Sequence, residues 1–168
     1  MSEKIPSTTA AGTPSRMVLD RTYRASVDAL WKLWTTKEGF ESWWPPEGFR
    51  VVVHTVEARL DGTLRYDMIA ETPELVATLT KMGLPLSHLE HARFSEFRPL
   101  ERLVLSIQMD FLPGIEPYEN SIMADFFPNG EGARMVVTLK PMHSEEFTKL
   151  CADTLVGQLA NFEKQLPA

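Results

Sequence analysis

Residues 144–166 read SEEFTKLCADTLVGQLANFEKQL and predict one long amphipathic helix near the end of the chain. Its apolar residues recur at steps of three and four, which is the spacing of one helical face. They are Phe147, Leu150, Cys151, Leu155, Leu159, Phe162 and Leu166. Ser144 is the predicted N-cap, and Pro167 follows the end. A helix of about six turns needs a broad apolar partner. Because most of the preceding residues predict antiparallel strands, we expect a large curved sheet to grip this helix.

The residues before this helix predict seven strands and two early helices. Alternating apolar residues place the strands at 17–24, 49–58, 63–70, 89–97, 102–111, 118–127 and 133–140. After the first strand, Ser26 caps a helix that ends near Thr35. Thr35 and Glu38 have the capping-box spacing and open a second helix at 36–44. These two helices would form a V-shaped brace for the end of the long helix.

Composition and charge limit the function classes. The 168 residues are 43% hydrophobic, which suits one domain, and we expect residues 16–168 to form it. The net charge of −6 with scattered basic residues argues against nucleic acid and anionic membranes as partners. Cys151 is the only cysteine, so no disulfide framework is expected and a reducing cytoplasm fits. Residues 1–15 lack the apolar core of a signal peptide or membrane anchor and predict a disordered tail.

Several segments resemble a known family. They read ASV at 25–27, LW at 30–31, FESWWPPEGF at 40–49, GTLRY at 62–66 and FRPLERL at 97–103. With the order of elements, they resemble the helix-grip fold of the START-like (SRPBCC) superfamily. Within it, they resemble the activators of the ninety-kilodalton heat-shock-protein ATPase (AHSA1-like). The resemblance spans residues 17–166. It implies an α+β fold with a seven-stranded curved antiparallel sheet around the C-terminal helix.

The resemblance implies three kinds of function, because one fold hosts many activities. The preferred hypothesis is binding of a small hydrophobic or aromatic molecule between the sheet and the C-terminal helix. The alternatives are a chaperone or stress-response interaction module and a polyketide-cyclase-like enzyme. No cofactor is expected.

The chain departs from the family pattern between the third and fourth strands. Residues 71–87 hold an inserted helix with Thr72 as its cap and Gly83 as its stop, where most relatives turn quickly. This helix is either a lid over the mouth of a cavity or an element whose Leu75, Leu79 and Met82 add to the core or cover a homodimer contact.

Thirteen residues are the candidate cavity lining. They are Trp43, Trp44, Tyr66, Met68, Phe94, Leu105, Met109, Ile122, Phe126, Met135, Thr154, Leu155 and Gln158. Bulky, flexible side chains with a few polar groups are typical of a small-ligand site. Tyr66, Thr154 and Gln158 would orient the ligand. The alternative is that all thirteen pack into a solid core.

Metal binding and catalysis receive weaker support from the sequence. His54, His88 and His91 invite a metal interpretation, but we expect edge-strand histidines on the solvent face. Cys151 has apolar neighbours one turn away, which favours a buried structural thiol over a nucleophile. An enzyme would use Tyr66 or Glu57 as general acid or base on a bound carbonyl compound.

The phase of strand 49–58 decides where Glu57 points. Glu57 otherwise belongs to a solvated charge cluster, and both registers of this strand hold apolar residues. That strand is therefore either covered on both sides or shifted midway by a bulge.

Overall fold

The computed structural model describes residues 16–167, so the predicted tail at 1–15 lies outside the described residues. The strands are β1 (Met17–Tyr23), β2 (Phe49–Val56), β3 (Thr63–Ala70), β4 (Ser87–Arg98), β5 (Arg102–Met109), β6 (Tyr118–Asn129) and β7 (Gly132–Leu139). The helices are α1 (Val27–Thr35), α2 (Lys37–Trp43), α3 (Pro73–Met82) and α4 (Glu145–Lys164). The predicted elements are therefore all present, with ends that shift by a few residues.

The seven strands form one antiparallel sheet in the order β1-β7-β6-β5-β4-β3-β2. Only β1 and β2 are edges, and α1 and α2 carry the chain from one edge to the other. The register shifts between Val53 and Thr55 in β2 and between Phe94 and Glu96 in β4. Such bulges bend a strand and increase its twist. The first of them is the midway bulge that was one of the two expectations for this strand.

Local capping signals fix the helix ends. Ser26, Thr72 and Ser144 each accept a hydrogen bond from a backbone N–H in the first turn of their helix, as predicted. Gly83 ends α3 with φ of 72°, a left-handed conformation that glycine adopts without strain. The cap of α2 was predicted one residue too early. It is Thr36, whose hydroxyl accepts from the Gly39 N–H at 3.1 Å.

The C-terminal half of α4 rests on the brace formed by α1 and α2. The ring of Phe162 is fully buried, with centroids 4.9 Å from Trp43, 6.4 Å from Trp34 and 5.6 Å from Tyr23. Such aromatic contacts add about 0.5–1.5 kcal/mol each beyond area burial. This cluster holds the end of the helix against the sheet and leaves the middle of α4 facing β4, β5 and β6.

The predicted apolar stripe of α4 is wrong at Leu150, which is 59% exposed. The buried face instead comprises Thr148, Ala152, Leu155, Gln158, Leu159 and Phe162. In the first turns of α4, the face that meets the sheet is therefore rotated from the predicted stripe and carries smaller and polar residues. This rotation leaves less side-chain volume between α4 and the sheet than the predicted stripe would.

Candidate ligand-binding site

A cavity of about 150 Å³ lies between the sheet and the middle of α4. Strands β3 to β7 supply one wall, and residues 151–158 of α4 supply the other. An apolar cavity of about this volume is known to take one benzene-sized molecule, whereas drug-sized ligands need roughly 300 Å³ or more. The cavity therefore suits a compact molecule and is too small for a long lipid chain.

Seven of the thirteen predicted lining residues lie on the wall of this cavity. They are Trp44, Met68, Met109, Ile122, Thr154, Leu155 and Gln158. The other six are in the packed core and do not line it. They are Trp43, Tyr66, Phe94, Leu105, Phe126 and Met135, all at most 3% exposed. The structure thus combines the two alternatives, since it holds a solid aromatic core beside a small cavity.

The wall also includes residues that the sequence analysis did not propose. They are Pro46, Glu90, Ile107, Phe111, Asn120, Ser121, Leu139, Met142 and Cys151. Glu90 and Asn120 were detectable by strand phase. Residues two apart on a strand share a face, and Phe94 and Ile122 were already predicted to point inward. Glu90 is four residues before Phe94 and therefore shares its inward face. Asn120 is two residues before Ile122 and therefore also points inward.

Asn120 brings an unpaired acceptor to this cavity. The residue is 4% exposed, and its Oδ1 has no hydrogen-bond partner among residues 16–167. A buried polar atom without a partner costs about 1–3 kcal/mol, and such atoms are normally satisfied by protein, water or ligand. This atom is therefore a position where a donor from a bound molecule would be stabilised.

Glu90 places a carboxylate on the otherwise apolar wall. Its side chain is 7% exposed, and its Oε2 lies 3.2 Å from Nε2 of His88. His88 stacks in turn on the ring of Phe111, with centroids 4.2 Å apart. The expectation that the histidines lie on the solvent face of edge strands is wrong for His88. It lies on β4, between β3 and β5, with a side chain only 18% exposed.

A chain of hydrogen bonds joins α4 to the brace beside the cavity. The Gln158 amide Nε2 donates to the Trp44 backbone carbonyl, and Trp44 Nε1 donates to the Tyr66 hydroxyl at 2.9 Å. Burial, and next the negative charge of Glu90, raise the pKa of Tyr66 well above its usual value. Tyr66 is therefore a neutral phenol fixed behind the cavity wall. It acts on Trp44 and does not meet the cavity itself.

Cys151 is half-buried on the α4 side of the wall. Burial, and then the nearby charge of Glu90, raise the pKa of its thiol to about 11. The thiolate is the nucleophilic form, so this cysteine is protonated at neutral pH. The environment of Cys151 is therefore unlike that of a catalytic cysteine.

The remaining candidates for chemistry lie away from the cavity. Glu57 accepts from the Thr63 backbone N–H at 2.9 Å and pairs with Arg59 at 3.5 Å on the surface. His54 pairs with Asp67 at 2.9 Å on the other face of the sheet, with its side chain 38% exposed. Neither Glu57 nor Tyr66 lines the cavity. Neither of the two alternative acid-base groups proposed from the sequence is therefore placed to act on a molecule bound there.

A surface groove runs directly outside the cavity, between α3 and α4. Pro46, Thr154 and Gln158 border both spaces. From α3, Leu75 and Thr78 line the groove, but no residue of α3 lines the cavity. The expectation that Leu75, Leu79 and Met82 add to the buried core is wrong, because α3 contains no buried residue and Met82 is 64% exposed.

Comparisons with known proteins agree with this architecture. A family model described as Activator of Hsp90 ATPase homolog 1-like protein matches residues 24–164. No curated protein sequence matches the chain significantly. Within residues 16–167, none of the helices is both long and apolar enough to span a membrane.

Solved structures of bacterial proteins share the fold at low sequence identity. A Chromobacterium violaceum protein is 18% identical with a TM-score of 0.74, covering 92% of this chain and 100% of its own. A Silicibacter pomeroyi protein described as AHSA1 is 16% identical with a TM-score of 0.69, covering 90% and 96%. A Staphylococcus epidermidis protein is 14% identical with a TM-score of 0.70, covering 92% and 90%. At these identities the likeness concerns the fold alone.

Proposed function

The chain belongs to the family of Activator of Hsp90 ATPase homolog 1-like proteins, and we propose that it binds a compact, largely apolar molecule between the sheet and α4. The observation that carries this proposal is the 150 Å³ cavity, whose wall includes an unpaired buried acceptor on Asn120. Empty volume and unpaired acceptors both destabilise a fold. A ligand that fills the volume and donates a hydrogen bond would offset both costs. We place this binding in the cytoplasm, because the only cysteine forms no disulfide.

Cavity filling tests the proposal. Toluene serves as the probe because one ring matches the cavity volume, and its binding is followed by ligand-observed NMR on the full chain. Leu155→Trp and Met109→Trp place an indole in the cavity and should weaken toluene binding at least tenfold. Leu150→Trp is the matched control, because Leu150 is 59% exposed on the same helix and does not line the cavity. The proposal fails if wild-type protein does not bind toluene, or if all three variants bind it equally.

A chaperone contact is the second candidate function. The family description names an Hsp90 ATPase activator, and α4 exposes Leu150 and Val156 at 59% and 47%. The two residues are about 120° apart around the helix and about 9 Å apart along it, so a protein partner that covers both would contact two sides of α4. Fluorescence anisotropy with purified Hsp90 tests this function. Leu150→Asp with Val156→Asp should abolish binding, and Leu155→Trp should not. Equal binding by both would exclude these two residues.

A further inference from the structure

Among the residues that line the cavity, the one fully buried side-chain oxygen or nitrogen without a hydrogen-bond partner is an acceptor. Asn120 Oδ1 has no partner among residues 16–167, and Glu90 adds a carboxylate. Two side-chain donors on the wall are engaged elsewhere, since the Gln158 amide donates to the Trp44 carbonyl and the Thr154 hydroxyl donates to the Leu150 carbonyl. A molecule that enters the cavity therefore meets at Asn120 Oδ1 a buried acceptor that lacks a donor.

The charge on the wall is negative. Among the residues that line the cavity, Glu90 is the only ionisable carboxylic acid, and there is neither a lysine nor an arginine. Oε2 of Glu90 lies 3.2 Å from Nε2 of His88, and His88 is not part of the wall. A ligand carboxylate would lose its hydration and face Glu90 without a cation of its own. Such an uncompensated buried charge is strongly unfavourable.

The two acceptors lie on the same face of the sheet but on different strands. Asn120 is on β6 and pairs with Ile107, whereas Glu90 is on β4, two strands away. Neighbouring strands are about 4.8 Å apart, so the backbones of these residues are separated by roughly 10 Å. Apolar side chains of β5 lie between them, including Ile107 and Met109. The separation of the two acceptors therefore suits a ligand with one compact ring. Its apolar body would pack on β5, and its polar group would lie at one end.

From this arrangement we infer that the cavity selects a single-ring or similarly compact molecule that carries a neutral or cationic hydrogen-bond donor, such as a hydroxyl or amine, and excludes the corresponding carboxylate. This inference rests on the proposed function and specifies its ligand class. The donor pairs with Asn120 Oδ1 or Glu90, and the ring packs on the apolar residues of β5 and α4. Fatty acids and aromatic acids are thereby excluded, although their apolar parts match the cavity.

Four probes of nearly equal size test this selectivity by isothermal titration calorimetry on the full chain. They are toluene with no donor, phenol with a neutral donor, benzylamine with a cationic donor and benzoate with an anion. Phenol and benzylamine should each bind about fivefold more tightly than toluene, the value of one net hydrogen bond. Benzoate should bind at least tenfold more weakly than phenol. Benzoate binding as tightly as phenol overturns the inference.

Substitutions identify the groups responsible. Asn120→Leu replaces the acceptor by a larger apolar side chain, whose bulk affects phenol and toluene alike, and it should lower the phenol-to-toluene affinity ratio about fivefold. Met123→Leu is the control on the same strand, because Met123 does not line the cavity, and it should leave that ratio unchanged. Glu90→Gln should weaken benzylamine relative to phenol and improve benzoate. If Asn120→Leu does not fold, the wild-type ratios and Glu90→Gln still decide the question.

The outcomes separate this inference from the proposed function. Toluene binding without preference among the four probes would leave the cavity as a binding site and overturn the acceptor argument. Failure of all four probes to bind would overturn both. An unchanged phenol-to-toluene ratio in folded Asn120→Leu, with unchanged benzylamine binding in Glu90→Gln, would also overturn the inference.

Discussion

Two leucines on α4 offer a matched test of which face of this helix is buried. The sequence periodicity places Leu150 and Leu159 on one apolar stripe, whereas in the structure Leu159 is 2% exposed and Leu150 is 59% exposed. Replacing each by alanine removes the same atoms from the interior of the same helix. Differences in helix propensity therefore cancel between the two variants.

The expected costs differ severalfold. Leu→Ala at a buried site lowers the free energy of unfolding by about 2–5 kcal/mol, through lost transfer energy and the void that remains. Complete burial of a leucine side chain contributes about 1.5–3 kcal/mol, and only about two-fifths of Leu150 is covered. Leu150→Ala should therefore cost about 1 kcal/mol at most. Leu159→Ala should cost at least about 1 kcal/mol more than that.

Urea unfolding followed by tryptophan fluorescence measures both free energies of unfolding. The signal is suitable because the four tryptophans lie in α1, in α2 and at Trp44, the C-cap of α2. The comparison uses unfolding midpoints at an unchanged m-value, which shows that the unfolded states are alike. Equal destabilisation by the two substitutions would mean that both leucines are buried. The docking of α4 described above, and the position of the cavity beneath it, would then be wrong.

Three further predictions follow from single residues. Tyr66→Phe should lower the free energy of unfolding by about 1–3 kcal/mol, measured in urea, because it leaves buried Trp44 Nε1 without its acceptor; an unchanged stability would contradict the hydrogen bond. Because burial raises the pKa of Cys151 from 9.0 to about 11, alkylation by iodoacetamide at pH 8 should be about a hundredfold slower in folded than in unfolded protein. The folded rate should rise until the pH passes 11, and equal rates would contradict this assignment. Gly62→Ala should lower the melting temperature more than Gly83→Ala, because a Cβ on Gly62 would lie 1.9 Å from a backbone carbonyl oxygen while Gly83 faces open space; the reverse order would contradict the geometry of the turn.

The sequence predicted those features that depend on neighbours along the chain. The caps Ser26, Thr72 and Ser144 act within one helical turn, so their effect is readable from local spacing. The order of elements indicated the fold, and the segments at 25–27, 30–31, 40–49, 62–66 and 97–103 added the resemblance to the family.

Features that depend on distant packing were harder to predict. The apolar stripe of an amphipathic helix is about 100° wide or more. Its periodicity alone therefore did not show that Leu150 lies outside the buried face of α4. His88 was assigned to a solvent-facing edge because the pairing of β4 with both β3 and β5 is not visible in β4 alone. Tyr66 was predicted to point inward, and it does. Whether an inward residue meets a cavity or a neighbouring ring depends on the packing of α2, which strand alternation does not determine.

Three features that lower the stability of this fold lie beneath the middle of α4. An apolar cavity, an unpaired Asn120 oxygen and a buried Glu90 carboxylate each lower stability, and all three share one wall. A leucine at position 90 or 120 would reduce the volume and remove the polar burial at once. Buried polar groups that are removable in this way are expected at functional sites, where local rules of packing are broken for a purpose. The other unpaired buried atom found among residues 16–167, the Tyr23 hydroxyl, lies near the far end of α4 and borders no part of this cavity. The coincidence of three costs on one wall therefore supports the proposal that a ligand binds between β4, β6 and the facing turns of α4.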